Sequence, residues 1–144
     1  MKLAIGCDHA AYKEKIDLVK FIKSELGYEV IDLGTQSEES VDYAEYGHMV
    51  GNSVSCKEVD KGIVICGSGI GISIAANKVK GVRAALCTST KHAEMSRRHN
   101  DANVLAMGAR FTSFEDIKLI TKVWLATDFE GGRHLIRINK IEEL

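Results

Sequence analysis

Five short, almost wholly apolar runs recur along this chain, and a stretch of helical spacing follows each of them. Lys2-Leu-Ala-Ile-Gly6, Tyr28-Glu-Val-Ile-Asp-Leu33, Gly62-Ile-Val-Ile-Cys66, Arg83-Ala-Ala-Leu-Cys87 and Asn103-Val-Leu-Ala-Met107 are too short for helices. Most lack the strict alternation of a strand with one wet face, so they read as strands covered on both sides. From Ala11 to Leu26, Tyr12, Ile16, Val19, Ile22 and Leu26 mark a helix that Gly27 stops. Asp42 to Cys56 reads as a second helix, although Gly47 and Gly51 weaken the signal, and a third runs from about Ile70 to Lys78. Thr88 or Ser89 caps a fourth toward Arg98. Overlapping capping boxes in Thr112-Ser113-Phe114-Glu115-Asp116 start a fifth, and a last helix follows Gly131-Gly132.

Strands alternating with helices build parallel βαβ units with right-handed crossovers. The expected fold is a single α/β domain spanning residues 1–144. It is a three-layer α/β/α sandwich around a five-stranded parallel sheet, Rossmann-like, in the order 2-1-3-4-5 and with a C-terminal helix. In that order ligands bind where the sheet reverses direction, beyond the carboxyl ends of the first and third strands. Cys7-Asp8-His9 follows the first strand, and Cys66-Gly67-Ser68-Gly69-Ile70-Gly71 ends the third. The chemistry belongs where those segments meet.

Composition narrows the classes of function. The 144 residues carry 19 Lys and Arg against 20 Asp and Glu, a formal net charge of -1, so no basic field points to nucleic acid. No apolar run approaches a membrane span, and Met1-Lys2-Leu3-Ala4-Ile5 enters a strand directly instead of a signal peptide; a cytoplasmic protein is expected. The four cysteines, Cys7, Cys56, Cys66 and Cys87, show neither a CxxC pair nor metal-ligand spacing, so neither a metal nor a disulfide framework is expected.

The glycine loop is neither a dinucleotide fingerprint, since its third glycine comes one residue early, nor a Walker loop, since no Gly-Lys-Ser/Thr follows. It can still form a nest of N–H groups at a helix N-terminus, suited to negative charge. Cys66, ending a strand at that terminus, has the setting that activates a thiol; as a lone cysteine it would be a small buried hydrophobe. Asp8 and His9 offer a carboxylate and an imidazole across the crevice, with helix capping as the plain alternative for Asp8. Arg133 and Arg137 lie four apart on one helical face, where like charges repel unless an anion sits between them, and Arg110 is a third cation past the fifth strand. In a βαβ fold the helices run back, so His99 and Asn100, closing the fourth helix, lie at the amino edge of the sheet. They can reach Cys66 only from another subunit.

Taken together, Cys7-Asp8-His9-Ala10, Asp42-Tyr43, the block from Ile65 through Cys66 to Lys78, His99-Asn100-Asp101-Ala102-Asn103 and Gly131-Gly132-Arg133-His134 with Arg137 resemble the type B ribose-5-phosphate isomerases. The wider family also includes galactose-6-phosphate isomerase subunits and allose-6-phosphate isomerases. The resemblance covers essentially the whole chain. It implies an aldose–ketose isomerase of the pentose phosphate pathway, needing no cofactor. Cys66 would remove the C2 proton, the Ser68 hydroxyl would assist, and the amides of Gly67, Gly69, Ile70 and Gly71 would hold the enediolate oxygen. Such fixed donors contribute about 3–4 kcal/mol each in comparable oxyanion sites. His99, with Asp8, would open the sugar ring. His9, Arg133 and Arg137 would bind the phosphate, with Arg110 as a further cation, and Asn100 and Tyr43 would contact the sugar.

Ala44 stands where relatives commonly have proline, and Ser68 where they usually have threonine. Possession of both the cysteine loop and the His-Asn and Gly-Gly-Arg-His segments implies a self-sufficient homodimer, or dimer of dimers, with its active site at the subunit interface. The alternatives are an isomerase of allose 6-phosphate or galactose 6-phosphate, or a non-catalytic sugar-phosphate binding protein.

Overall fold

The structure, a computed structural model, describes residues 1–143. Strand β1 (Lys2–Cys7) leads through a 3-10 turn at His9–Ala11 into helix α1 (Tyr12–Phe21). The end of α1 widens into a π-type turn over Ile22–Leu26, and Gly27 stops it at φ +73°. Then come β2 (Glu29–Asp32), α2 (Tyr43–Ser55), β3 (Lys61–Cys66) and α3 (Ile70–Asn77). The chain closes with β4 (Ala84–Leu86), α4 (Thr90–Asn100), β5 (Val104–Gly108), α5 (Phe114–Ala126) and α6 (Arg133–Glu142). Ser89 caps α4 by accepting from the His92 N–H, and Ser113 caps α5 by accepting from the Asp116 N–H.

Alternate residues of the buried strands feed two cores, as the two-residue period of a strand requires. Leu3, Ile5, Cys7, Ile63, Ile65, Leu105 and Met107 face α1, α4 and α5, whose Leu18, Ala93, Ile117, Ile120 and Trp124 complete that layer. Ala4, Val64, Cys66, Val104 and Ala106 face α2 and α3, against Val50, Val54, Ile72 and Ala76. The second face carries the small residues, and the helices there come close. A Cβ on Gly47 would lie 2.9 Å from both the Ala75 Cβ and the Ile72 carbonyl oxygen, and one on Gly51 would lie 2.9 Å from the Val79 Cγ2. The glycines that weaken the helix signal in α2 are therefore what lets α2 pack on α3.

The five strands are all parallel, and the three-layer sandwich with its C-terminal helix is the architecture expected. The strand order is β2-β1-β3-β5-β4, which corrects the expected 2-1-3-4-5 at its last two members. The reason lies in burial. All five residues of β5 are buried, whereas β4 has three half-buried residues and follows Arg83, whose guanidinium binds Glu142 and the Asp101 carbonyl. The longer, wholly apolar strand takes the covered centre, and the short one accepts the edge. The reversal point between β1 and β3 is unaffected. The swap brings β5, with Gly108, Ala109 and Arg110 at its end, beside Cys66.

Candidate active site

At the carboxyl edge of the sheet, Cys66 ends β3 with its side chain 4 % exposed. Its Sγ accepts a hydrogen bond from the Gly69 N–H at 3.1 Å. This donor and the α3 N-terminus both direct positive partial charge at the sulfur. Gly69 takes φ +78°, and a Cβ there would strike the Met107 carbonyl group and the Leu86 side chain. Only glycine turns the chain back this tightly. The Ser68 Oγ accepts from the Ile70 N–H at 3.2 Å, which leaves its own proton free to donate. The Gly71 amide lies in the first turn of α3, where amides have no intrahelical partner.

Neighbouring segments wall this loop. The Ala109 N–H donates to the Cys66 carbonyl and the Arg110 N–H to the Gly67 carbonyl, each at 2.9 Å. Because Gly67 lacks a Cβ, the exposed Arg110 guanidinium lies across it, 3.1 Å from where that Cβ would be. Tyr43, at the start of α2, lays its ring over Gly71 in the same way, with Cζ 2.5 Å from the missing Cβ. Ala44, in the turn after it, is half-buried. Asp8 is buried and caps the 3-10 turn, its Oδ1 accepting from the Ala10 N–H at 3.0 Å. That is the capping role. The His9 Nδ1 accepts from the Val41 N–H at 3.1 Å, so a neutral ring carries its proton on Nε2.

The structure brings Cys66, Ser68, Gly67, Gly69, Ile70, Gly71, Asp8, His9, Tyr43 and Arg110 to one edge. It does not bring His99, Asn100, Arg133 or Arg137 to them. The Asn100 carbonyl accepts from Arg83 at 3.0 Å, which ties the end of α4 to the amino end of β4. His99 stacks on His134, at the start of α6, with ring centroids 4.3 Å apart and planes 12° from parallel. Six residues of β3, at about 3.3 Å per residue, put roughly 20 Å between the two edges. Arg133 and Arg137 are exposed on α6, with no ion pair among the described residues. A cavity of about 670 Å³ also opens at the amino edge, between Lys78, Arg83, Asn100 and Glu142, and it includes neither Cys66 nor Ser68.

Two residues without a role in the sequence reading join this second group. Glu130 reaches His134, with Oε2 3.3 Å from the imidazole Nε2. Its Oε1 accepts from the Arg98 Nε at 2.5 Å and also pairs with the Arg98 Nη2. Their available signal was the four-residue spacing of Glu130 and His134 across the glycine pair. Burial, then Arg133 and His99, push the His134 imidazole below its ordinary range. Arg98 holds the Glu130 carboxyl below the usual carboxylate range. His99, Glu130 and His134 are donor types that a metal could use, with ligand atoms within 4.8 Å of one another. The near-parallel rings, however, aim their nitrogen lone pairs side by side instead of converging on one ion.

The remaining thiols separate by face and burial. Cys7 points into the opposite core from Cys66, fully buried, and burial pushes its thiol up to about 12. Cys87 is likewise pushed up by burial, to about 11, and Cys56 is exposed. Cys66 differs from Cys7 and Cys87 in lying on the other face of the sheet, with the Gly69 N–H donating to its sulfur.

Known proteins share both the sequence and the fold. Residues 3–141 match the family model described as Ribose/Galactose Isomerase. The chain is 49% identical to ribose-5-phosphate isomerase B of Escherichia coli over 97% of this chain and 93% of that one. The Clostridium thermocellum ribose-5-phosphate isomerase B superposes with a TM-score of 0.97 at 52% identity, covering 99% of this chain and 96% of that one. The Mycoplasma genitalium ribose-5-phosphate isomerase B, solved with bound ribulose 5-phosphate, gives 0.93 at 38% identity, covering 98% and 93%. No helix among the described residues is long and apolar enough to cross a membrane. A thiol on an amide nest, a separate imidazole and arginine cluster, and agreement along nearly the whole length place this chain in the ribose/galactose isomerase family, as an aldose–ketose isomerase.

Proposed function

We propose that this chain interconverts D-ribose 5-phosphate and D-ribulose 5-phosphate through an enediolate, with Cys66 as the base. The hydrogen bond from the Gly69 N–H to the Cys66 Sγ carries the reading, because it fixes the sulfur on the amide nest, where a base for the C2 proton and donors for the enediolate oxygen lie together. As that proton leaves, charge develops on the carbonyl oxygen, and the first-turn amide of Gly71 is a fixed donor for it. The Ser68 hydroxyl, its oxygen already engaged, can donate to O1 or O2 while the proton passes between them. Cys66 then returns its proton to C1. Deprotonation at C2 and protonation at C1 balance with no redox partner.

His99, Asn100, Arg133 and Arg137 enter this site from the partner subunit of a homodimer, since one chain holds them at the opposite edge. Exposed apolar side chains support such an assembly. Tyr43, Met49, Ile70 and Ile74 on α2 and α3, Phe111 after β5, and Leu135 and Ile136 on α6 are all at least 43% exposed. In the assembled site His99 opens the furanose, His9, Arg110, Arg133 and Arg137 hold the phosphate, and Tyr43 and Asn100 border the sugar.

A coupled assay over five- and six-carbon aldose phosphates, with chelator present, tests the proposal on wild type and Cys66→Ala. Turnover of ribose 5-phosphate is expected in the wild type, with less than about 10% of it left in a variant that still binds sugar phosphate. A variant above that mark moves the base to another residue, and turnover of six-carbon substrates alone overturns the substrate.

A further inference from the structure

The proposed ring opening asks a single imidazole for two opposed actions. It accepts the proton of the anomeric hydroxyl as the bond from C1 to the ring oxygen breaks, and then gives that proton to the ring oxygen as C1 becomes a carbonyl. An imidazole does both only if its protonated form is accessible near the working pH. The elements around His99 carry several cationic groups. His134 lies flat on its ring, Arg133 and Arg137 project from the same helix as His134, and Arg98 precedes His99 on α4.

Two carboxylates pair with Arg98. Glu94, on α4, is taken up by Arg98 at 2.8 Å and Lys91 at 3.1 Å. Glu130 is different. Arg98 grips only its Oε1, the Glu130 N–H donates to the Arg98 carbonyl at 3.1 Å, and Oε2 is left pointing at the imidazole pair. His134 is 7% exposed, and its buried Nε2 has no well-aligned hydrogen-bond partner, with Oε2 3.3 Å away.

We propose that Glu130 is a positioning residue for ring opening: anchored by Arg98, its carboxylate braces the stacked His134 and His99 rings and sustains the protonated form of His99. This rests on the role given to His99 above. The two rings share one proton, since two imidazolium ions at a 4.3 Å spacing repel strongly. Of the two rings, His99 is the more exposed, and His134 is the one that burial and Arg133 push below its ordinary range. Arg98 keeps Glu130 ionised, so its charge persists through the cycle.

The test reads the imidazoles directly, without substrate, in wild type, Glu130→Gln and Arg98→Gln proteins carrying ¹³C-labelled histidine. The signals are assigned by their loss in His99→Asn and His134→Asn. An anion raises the pKa of a neighbouring imidazole, so in Glu130→Gln the His99 titration is expected to move down by about half a unit or more. In the same variant kcat for ribose 5-phosphate is expected to fall about tenfold while KM stays within about twofold, because Glu130 touches neither phosphate nor sugar. A His99 titration that does not move overturns the proposal even if turnover falls, and so does a shift that leaves kcat unchanged. If Glu130→Gln does not fold, Arg98→Gln decides. It leaves the carboxylate charged but ungripped, and a smaller downward shift is expected; no shift overturns the proposal. A wild-type protein without isomerase activity would overturn the reading of the site, while the titration would still report separately on Glu130.

Discussion

Arg133 and Arg137 share one face of α6 with both guanidinium groups exposed, an arrangement that an anion between them stabilises. A phosphate keeps its charge from substrate to transition state, so its binding contributes equally to both. Arg137→Ala is therefore expected to raise KM with little change in kcat, at a cost of about 1.5–3 kcal/mol of binding. Steady-state kinetics check this, and an unchanged KM would assign the phosphate to Arg110. Cys7 makes a different kind of prediction. Its folded thiol is pushed up to about 12 by burial, against an ordinary value of 9.0, so the folded state holds a proton that the unfolded chain loses first. Stability from this group is complete below pH 9 and is lost as the pH rises toward 12. Urea midpoints measured from pH 8 upward should fall, and fall less in Cys7→Ala. Equal slopes in the two proteins would remove Cys7 as the cause.

Helix α2 shows how packing overrides local preference. Two glycines in its interior cost it about 1 kcal/mol each relative to alanine. They persist because neighbours lie where a Cβ would be: the Ile72 carbonyl oxygen is 2.9 Å from the position of a Gly47 Cβ, and the Val79 side chain 2.9 Å from that of a Gly51 Cβ. Gly47→Ala gains propensity and is still expected to lower the urea midpoint, since backbone cannot move aside as a side-chain tip can. Because α3 carries the amide nest, kcat should fall as well; a raised midpoint would show that the close contact is not limiting. The caps of α4 and α5 needed no such context. Of the candidates the sequence offered, Ser89 caps α4 and Ser113 caps α5, each accepting from the N–H three residues on.

The proposed site joins groups from opposite edges of one sheet, which a single chain cannot bring together. Cys66→Ala and His99→Ala proteins, each inactive, should complement when co-expressed. A mixed dimer has one site with both residues intact and one with neither. Random pairing makes about half of the dimers mixed, so recovery should approach about a quarter of wild-type activity per subunit. Purified mixed dimers without activity would place both residues in one chain's site. The sequence by itself determined the sandwich, the parallel sheet, the reversal point and the residues at each strand end, because those follow from local periodicity and from the direction in which helices return. It also separated His99 from Cys66, since the end of a returning helix must lie at the amino edge. It did not determine that β5 displaces β4 from the centre, because that choice compares the burial of two strands across the whole sheet. Nor could it show that Arg110 would therefore cross Gly67, that Cys7 and Cys66 face opposite cores, or that Glu130 meets the paired imidazoles. Those contacts join residues far apart in the chain, and only packing in three dimensions selects them.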